Sequence, residues 1–304
     1  RCTHRRQRQM CIRDSWGIEV VLWFQQFSPA LDLPFRALTF MGDEAFYLLL
    51  MPLVYWSIDR RTGARLIILL VFSVYLNAVA KVIADQPRPF NYDSRVKALG
   101  HAGGGGLPSG HTQNAVVIWG YLAGRYHKTI GWLIAGLLVI GIPLSRIYLG
   151  LHFPTDLFGG YLLGALILIL FLWSAPGLEK WLVRKGFAWQ LALSVVLPIL
   201  LIFLNPAGNR YVLGMIAAIM GVSVGFVLER RFVRFDADGL LWKRVVRYLL
   251  GVSILFGLYG VLRIAFSTME PAALFRFMRY SLIGLWGGLG APWLFVRLKL
   301  ADIE

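Results

Sequence analysis

The sequence predicts an all-α protein, a polytopic bundle of transmembrane helices, and three observations carry that expectation. Of its 304 residues 58% are hydrophobic and 15% charged, with a mean hydropathy of +0.63, whereas a soluble domain holds roughly 45–50% apolar residues. The apolar residues gather into runs close to the ~20 that a helix needs to cross ~30 Å of hydrocarbon. Lys and Arg concentrate in alternate short loops between those runs, the pattern of cytoplasmic loops. The formal net charge of +15 is therefore read as membrane topology. With no soluble basic domain in the chain, no nucleic-acid partner is expected.

Taken in order, residues 1–15 hold five Arg and both cysteines, Cys2 and Cys11, with no apolar run and no cleavable signal pattern. They read unlike a natural terminus and are expected to be a non-native or disordered segment. No cysteine follows, so neither a disulfide framework nor a thiolate metal site is open to the rest of the chain. Residues 16–38 are rich in aromatics but interrupted by Glu19, Gln25, Gln26, Pro29, Asp32 and Pro34. They either cross the membrane or lie in its interface. Nine spans are then expected near 45–58, 65–84, 112–124, 130–144, 155–173, 188–204, 211–228, 245–265 and 280–296. A composition shift at 174–186 divides the chain into a core, 16–174, and a C-terminal extension, 175–304.

Loop charges assign the sides. Arg60, Arg61 and Arg65, then Arg125 and Lys128, then Lys180, Arg184 and Lys185, then the basic loop from Arg230 to Arg247, and finally Arg297 and Lys299 all fall on one side. The other side holds three polar islands, all within the core. Ionisable residues at membrane depth cost several kcal/mol unless paired or set in a polar cavity, so these islands are the functional candidates. Four consecutive glycines, 103–106, form a turn, or a lid over the site.

The first island, 81–89, sets the Lys81 ammonium near a helix end and the Arg88 guanidinium seven residues later, a pairing suited to phosphoryl oxygens. Taken alone, these cations also fit ordinary lipid-headgroup contacts. The second, 107–112, reads as a helix start: Ser109 suits an N-cap, and the amides of Ser109, Gly110 and His111 lie at the positive end of the helix dipole, where anions bind. An ordinary capped helix with a first-turn histidine explains it equally well. In the third, 145–156, Pro154 opens a helix, so His152 precedes it and Asp156 sits in its first turn. That carboxylate can accept the Nδ1 proton of His152 and leave Nε2 free to attack. An interfacial His beside a dipole-compensating Asp would need no catalysis, but would not explain why Arg146 and the other islands face the same compartment. Asp43 and Glu44 are read as caps at a helix start. Asp85, His101 and His127 are read as solvated loop residues.

Together the strings K-x6-R-P, P-S-G-H and S-R-x5-H-x3-D resemble the three-part signature of the type 2 phosphatidic acid phosphatase superfamily, which includes vanadium haloperoxidases and glucose-6-phosphatase. The similar stretch covers 45–173, which implies a six-helix phosphatase-type core plus about four additional C-terminal spans. The run Gly42-Asp43-Glu44-Ala45-Phe46-Tyr47, with Pro52, Tyr55, Trp56 and Asp59, looks like the sphingosine-phosphate phosphatase branch. The resemblance implies His152 as the nucleophile that forms a phosphohistidine, Asp156 as its orienting group, and His111 as the general acid and then the base that activates water. Lys81, Arg88, Ser109, Gly110 and Arg146 would bind the substrate phosphate, with no metal and no other cofactor.

The expected function is thus metal-independent hydrolysis of a lipid phosphate monoester, of sphingoid-base or phosphatidate type. The site would open on the non-cytoplasmic face of an integral membrane protein, expected in a bacterial cytoplasmic membrane and facing the periplasm or exterior. Partners are the lipid phosphate and the surrounding membrane lipids, with a homo-oligomer compatible with the chain. The alternatives are an isoprenoid (undecaprenyl) diphosphate or a sugar phosphate as substrate, or a non-enzymatic lipid-phosphate transporter or binding protein. A complete set of nucleophile, orienter and acid argues against the last.

Overall fold

A computed structural model describes residues 5–204 and 210–304, with side chains from residue 15 onward and excepting that of residue 211. Residues 1–4, part of the segment expected to be non-native, lie outside it. From Arg5 the backbone is helical. The helices are α1 (Arg5–Gln25), α2 (Asp32–Phe40), α3 (Glu44–Ser57), α4 (Arg60–Ala84), α5 (Pro89–Tyr92), α6 (Gly110–Tyr126), α7 (Thr129–Tyr148), α8 (Pro154–Arg184), α9 (Phe187–Phe203), α10 (Arg210–Phe232), α11 (Leu241–Ala265), α12 (Ala272–Leu285) and α13 (Ala291–Arg297), with a π turn at Trp286–Gly290. Among the described residues the sole β pairing is an isolated antiparallel bridge between Phe235 and Ile303.

Every expected span coincides with a helix, and the protein is an integral membrane protein. The lengths differ from expectation. Among the described residues five helical segments are long and apolar enough to cross a bilayer, and the pair α2 and α3, bent by 49°, makes a sixth if counted as one broken span. α6 and α9 have 17 residues each and α3 has 14, so each falls short of a full crossing alone. Neither α1 nor α2 is by itself long and apolar enough to cross. On α7 and α8 the exposed apolar residues recur at helical spacing, Leu133, Leu137 and Ile140, then Phe158, Leu162, Leu166, Ile169 and Trp173. Such faces fit lipid rather than water.

The chain forms two compact units that differ from the contiguous division read from composition. The first comprises residues 5–47 and 76–171, and the second 48–75 and 172–304. α3, α4 and α8 each run through a boundary, and the residues at 174–186, where composition shifts, continue α8 to Arg184 despite Pro176.

In the first unit α7 is the hub, packed by α1, α2 and α6. Ile18 and Val21 of α1 are buried with Val96, Ile147, Phe153 and Leu157. α2 docks by stacking Phe35 on Tyr148, whose hydroxyl donates to Asp32 at 2.6 Å. In the second unit α10 packs on α9 and α12. Small residues line the α10–α12 seam: a Cβ at Gly225 would lie 3.0 Å from Gly288, and one at Gly284 would crowd Ala218. Close backbone approach of this kind is how helices associate in lipid, where apolar burial gives little drive. The basic loops of this unit are bonded internally. Arg60 donates to Glu229 and to the Phe235 carbonyl, Arg65 to Glu179, and the buried Arg247 to the carbonyls of Asp236, Ala237 and Asp238.

Candidate active site

All three islands lie in the first unit, at the C-terminal ends of α4 and α7 and the N-terminal ends of α6 and α8. Local sequence sets each end. α4 stops at Ala84, where Asp85 takes a left-handed φ of 40° and prolines follow. α6 starts behind Ser109, whose hydroxyl accepts from the Thr112 amide at 3.4 Å. α8 starts at Pro154, which tolerates the first helical position because it has no N–H to leave unpaired.

Asp156, fully buried in the first turn of α8, accepts from the Phe153 amide at 3.0 Å and from His152 Nδ1 at 3.1 Å. His152 Nε2 lies 3.0 Å from Nη1 of Arg88. A guanidinium only donates, so Nε2 must accept; the ring is therefore the neutral tautomer with its proton on Nδ1 and its lone pair on Nε2. Burial first, and then the positive charges of Arg88, Arg146, Lys81 and His111, hold His152 well below the ordinary histidine value. That last influence also places residues of all three islands within electrostatic reach of one ring.

Among the described residues the three cations have no carboxylate as a hydrogen-bond partner. Arg88 donates to the carbonyls of Gly103 (2.7 Å), Gly104 (3.0 Å) and Leu151 (2.8 Å), and Lys81 to that of Gly105 at 2.7 Å. Arg146 donates to the Thr39 hydroxyl at 2.5 Å and leaves its buried Nε without a partner. The glycine loop, read as a turn or a lid, thus supplies three carbonyl oxygens to two cations. The Ser109 amide, expected to be free for an anion, instead donates to the Asp156 carbonyl at 2.9 Å. This ties the second island to the third and leaves the Gly110 and His111 amides at the helix start.

Four residues or groups escaped sequence reading. Thr39 anchors Arg146 from α2. Asn77, one turn before Lys81, is buried and donates to Gln113 at 2.8 Å and to the Pro108 carbonyl at 3.3 Å, which fixes the approach to α6. Its signal was a polar residue inside an apolar run. Carbonyls of 103–105 have no side-chain signature. Asp43, read as a cap, bonds His111 Nε2 at 2.7 Å instead. Asp85, His101 and His127 are exposed, as expected of solvated loop residues; His127 ends α6 in a left-handed conformation.

Chemically, the arrangement is a buried neutral imidazole with an oriented lone pair, a second imidazole, and three cations whose partners are neutral oxygens. It is a membrane helical bundle with a cluster of cations around a buried imidazole. The PAP2 superfamily profile matches residues 62–180, and a second profile, PAP2 superfamily phosphatase, transmembrane extension, matches 213–302. The sequence is 30% identical to lipid phosphate phosphatase delta of Arabidopsis thaliana over 56% of this chain and 44% of that one. It is 29% identical to sphingosine-1-phosphate phosphatase 2 of Mus musculus over 65% and 59%. It is 32% identical to phosphatidylglycerophosphatase B of Bacillus subtilis (strain 168) over 47% and 74%. The chain belongs to the PAP2 superfamily. It spans about half the length of the first two relatives.

Proposed function

We propose that this protein hydrolyses a lipid phosphate monoester through a phosphohistidine on His152, with no metal required. The observation that carries the reading is the pair of contacts on one buried ring: Asp156 accepts a hydrogen bond from the Nδ1–H, and Nε2 presents its lone pair to the Arg88 guanidinium. Imidazole held this way is a nucleophile aimed into a cluster of cations, and phosphoryl transfer needs positioning and charge stabilisation of three equatorial oxygens above all. In the first step Nε2 attacks phosphorus as the ester P–O bond breaks, with His111 giving its proton to the departing oxygen. In the second, water loses a proton to His111 and attacks phosphorus, the P–N bond breaks, and His152 regains its lone pair. Lys81, Arg88, Arg146, the Ser109 hydroxyl and the Gly110 amide hold the phosphoryl oxygens.

Positive loop charge supports a site on the non-cytoplasmic face, where a lipid tail would stay in the bilayer while its headgroup enters. The names of the relatives, together with the run at 42–47, support a sphingoid-base phosphate or a phosphatidate as substrate. The test is release of inorganic phosphate by detergent-purified protein in EDTA, from a panel of sphingoid phosphate, phosphatidate, prenyl diphosphate and glucose-6-phosphate. His152→Ala is expected to lower release at least about a thousand-fold with expression intact. Undiminished release by that variant would sink the mechanism.

A further inference from the structure

The α2–α3 link, outside all three islands, holds two of their residues. Its backbone turns tightly, with the amides of Gly42 and Asp43 donating to the carbonyls of Thr39 (2.8 Å) and Phe40 (3.0 Å). Thr39 anchors Arg146 from this turn. Gly42 presses on the imidazole edge of His111: a Cβ there would lie 2.9 Å from His111 Cδ2 and 2.8 Å from Ile142 Cγ2, so the approach needs glycine. Asp43 Oδ1 then reaches His111 Nε2 at 2.7 Å, the sole carboxylate bonded to that ring among the described residues.

We infer that Asp43 is a positioning residue for the leaving-group step, fixing the plane and the proton arrangement of His111 as Asp156 does for His152. The inference rests on the assignment of His111 as general acid. The carboxylate accepts a hydrogen bond from the Nε2–H, which stays on the ring, so Nδ1 carries the proton that travels. In the first step that proton passes to the ester oxygen as the P–O bond breaks, and in the second Nδ1 takes a proton from water as the P–N bond breaks. Asp43 stays ionised throughout. A carboxylate at this distance also favours the charged ring, against burial first and then the repulsion of Arg146 and Lys81. The two His–Asp pairs differ in exposure: His152 and Asp156 side chains are 2% and 0% exposed, His111 and Asp43 22% and 42%. The nucleophile is sealed, and the proton donor sits where an alcohol must leave.

The test compares two phosphates of matched chain length, one with an alkyl and one with a nitrophenyl leaving group, because a good leaving group needs no proton. Asp43→Asn is expected to lower kcat/KM for the alkyl phosphate about 100-fold and for the nitrophenyl phosphate less than about 5-fold, with KM nearly constant. The basic limb of its pH profile should move toward acid, and Asp43→Glu should recover a large part of the loss. If Asp43→Asn reduces both substrates equally, or raises KM with kcat unchanged, Asp43 does not position the acid and the inference falls. Should the Asn variant fail to fold, Asp43→Ala carries the same comparison, and an equal loss on both substrates there overturns it. His111→Gln separates the two levels of the argument. Discrimination by that variant without discrimination at Asp43 removes only this inference, while its absence in both removes the general-acid assignment.

Discussion

Arg88 in the first unit and Arg247 in the second are both buried guanidiniums that donate to backbone carbonyls, yet their surroundings differ. The carbonyls on Arg247 belong to Asp236–Asp238, a segment pinned by the Asp236 amide on the Asp302 carbonyl and by the Phe235–Ile303 bridge. Nearby Arg60 and Arg65 have carboxylates as partners. Around Arg88 two of the three carbonyls come from exposed glycines, and no carboxylate is hydrogen-bonded to Arg88, Lys81 or Arg146 among the described residues. A buried charge answered by fixed groups in its own chain is part of the scaffold, whereas a cluster answered by neutral, replaceable oxygens is set for an incoming anion.

Paired substitutions break or sharpen that contrast. Arg88→Ala is expected to lower phosphate release about 100- to 1,000-fold, the scale of one lost transition-state donor, with the thermal midpoint in detergent within about 2 °C of the parent. Arg247→Ala should do the reverse. Orphaning the buried Ala237 carbonyl, at about 1–3 kcal/mol, and with it the part-buried carbonyls of Asp236 and Asp238 lowers the midpoint by about 5 °C, while turnover per folded molecule stays within about 3-fold. A stability loss at Arg88 or an activity loss at Arg247 would erase the distinction.

A smaller effect is read from pH. Because burial and the cations oppose its protonation, His152 stays neutral and reactive well into the acid range, so the acid limb of kcat/KM should fall below the ordinary histidine value of 6.5. Removing one positive charge with Arg88→Ala makes the ring easier to protonate and should move that limb to higher pH. A limb at or above 6.5 in the parent would contradict the field assigned to the cluster. The smallest effect is expected at Gly104, where φ is +66° and a Cβ would meet nothing within 4 Å. Gly104→Ala strains the loop only in its docked form, by about 1 kcal/mol. If docked loop and substrate compete for Arg88, KM falls up to about 5-fold with kcat unchanged; an unaltered KM shows no competition.

Much of this was legible in the sequence because it is local. Pro154, Ser109 and the apolar runs mark helix ends, and the charged residues at those ends lie at fixed spacings from them. The remainder depends on what the chain brings together over distance. Thr39 and Asp43 reach the site because α2 docks on Tyr148 and the link bends, and nothing in their neighbourhood signals either event. Spans were overcounted because short helices such as α3 and α9 are as apolar as crossing ones. The internal bonding of Arg247 was hidden because a topological loop charge and a structural one look alike in a string of residues.

The glycine carbonyls on Lys81 and Arg88 set a threshold for what this site admits. A bilayer surface is paved with phosphodiesters, each carrying a single negative charge and vastly outnumbering any monoester. An anion must displace three oxygens to reach the cations, which a dianionic terminal phosphate does far better than a monoanionic diester. Selectivity for chain-end phosphate over bulk membrane lipid would thus be written in backbone, before any acyl chain is read.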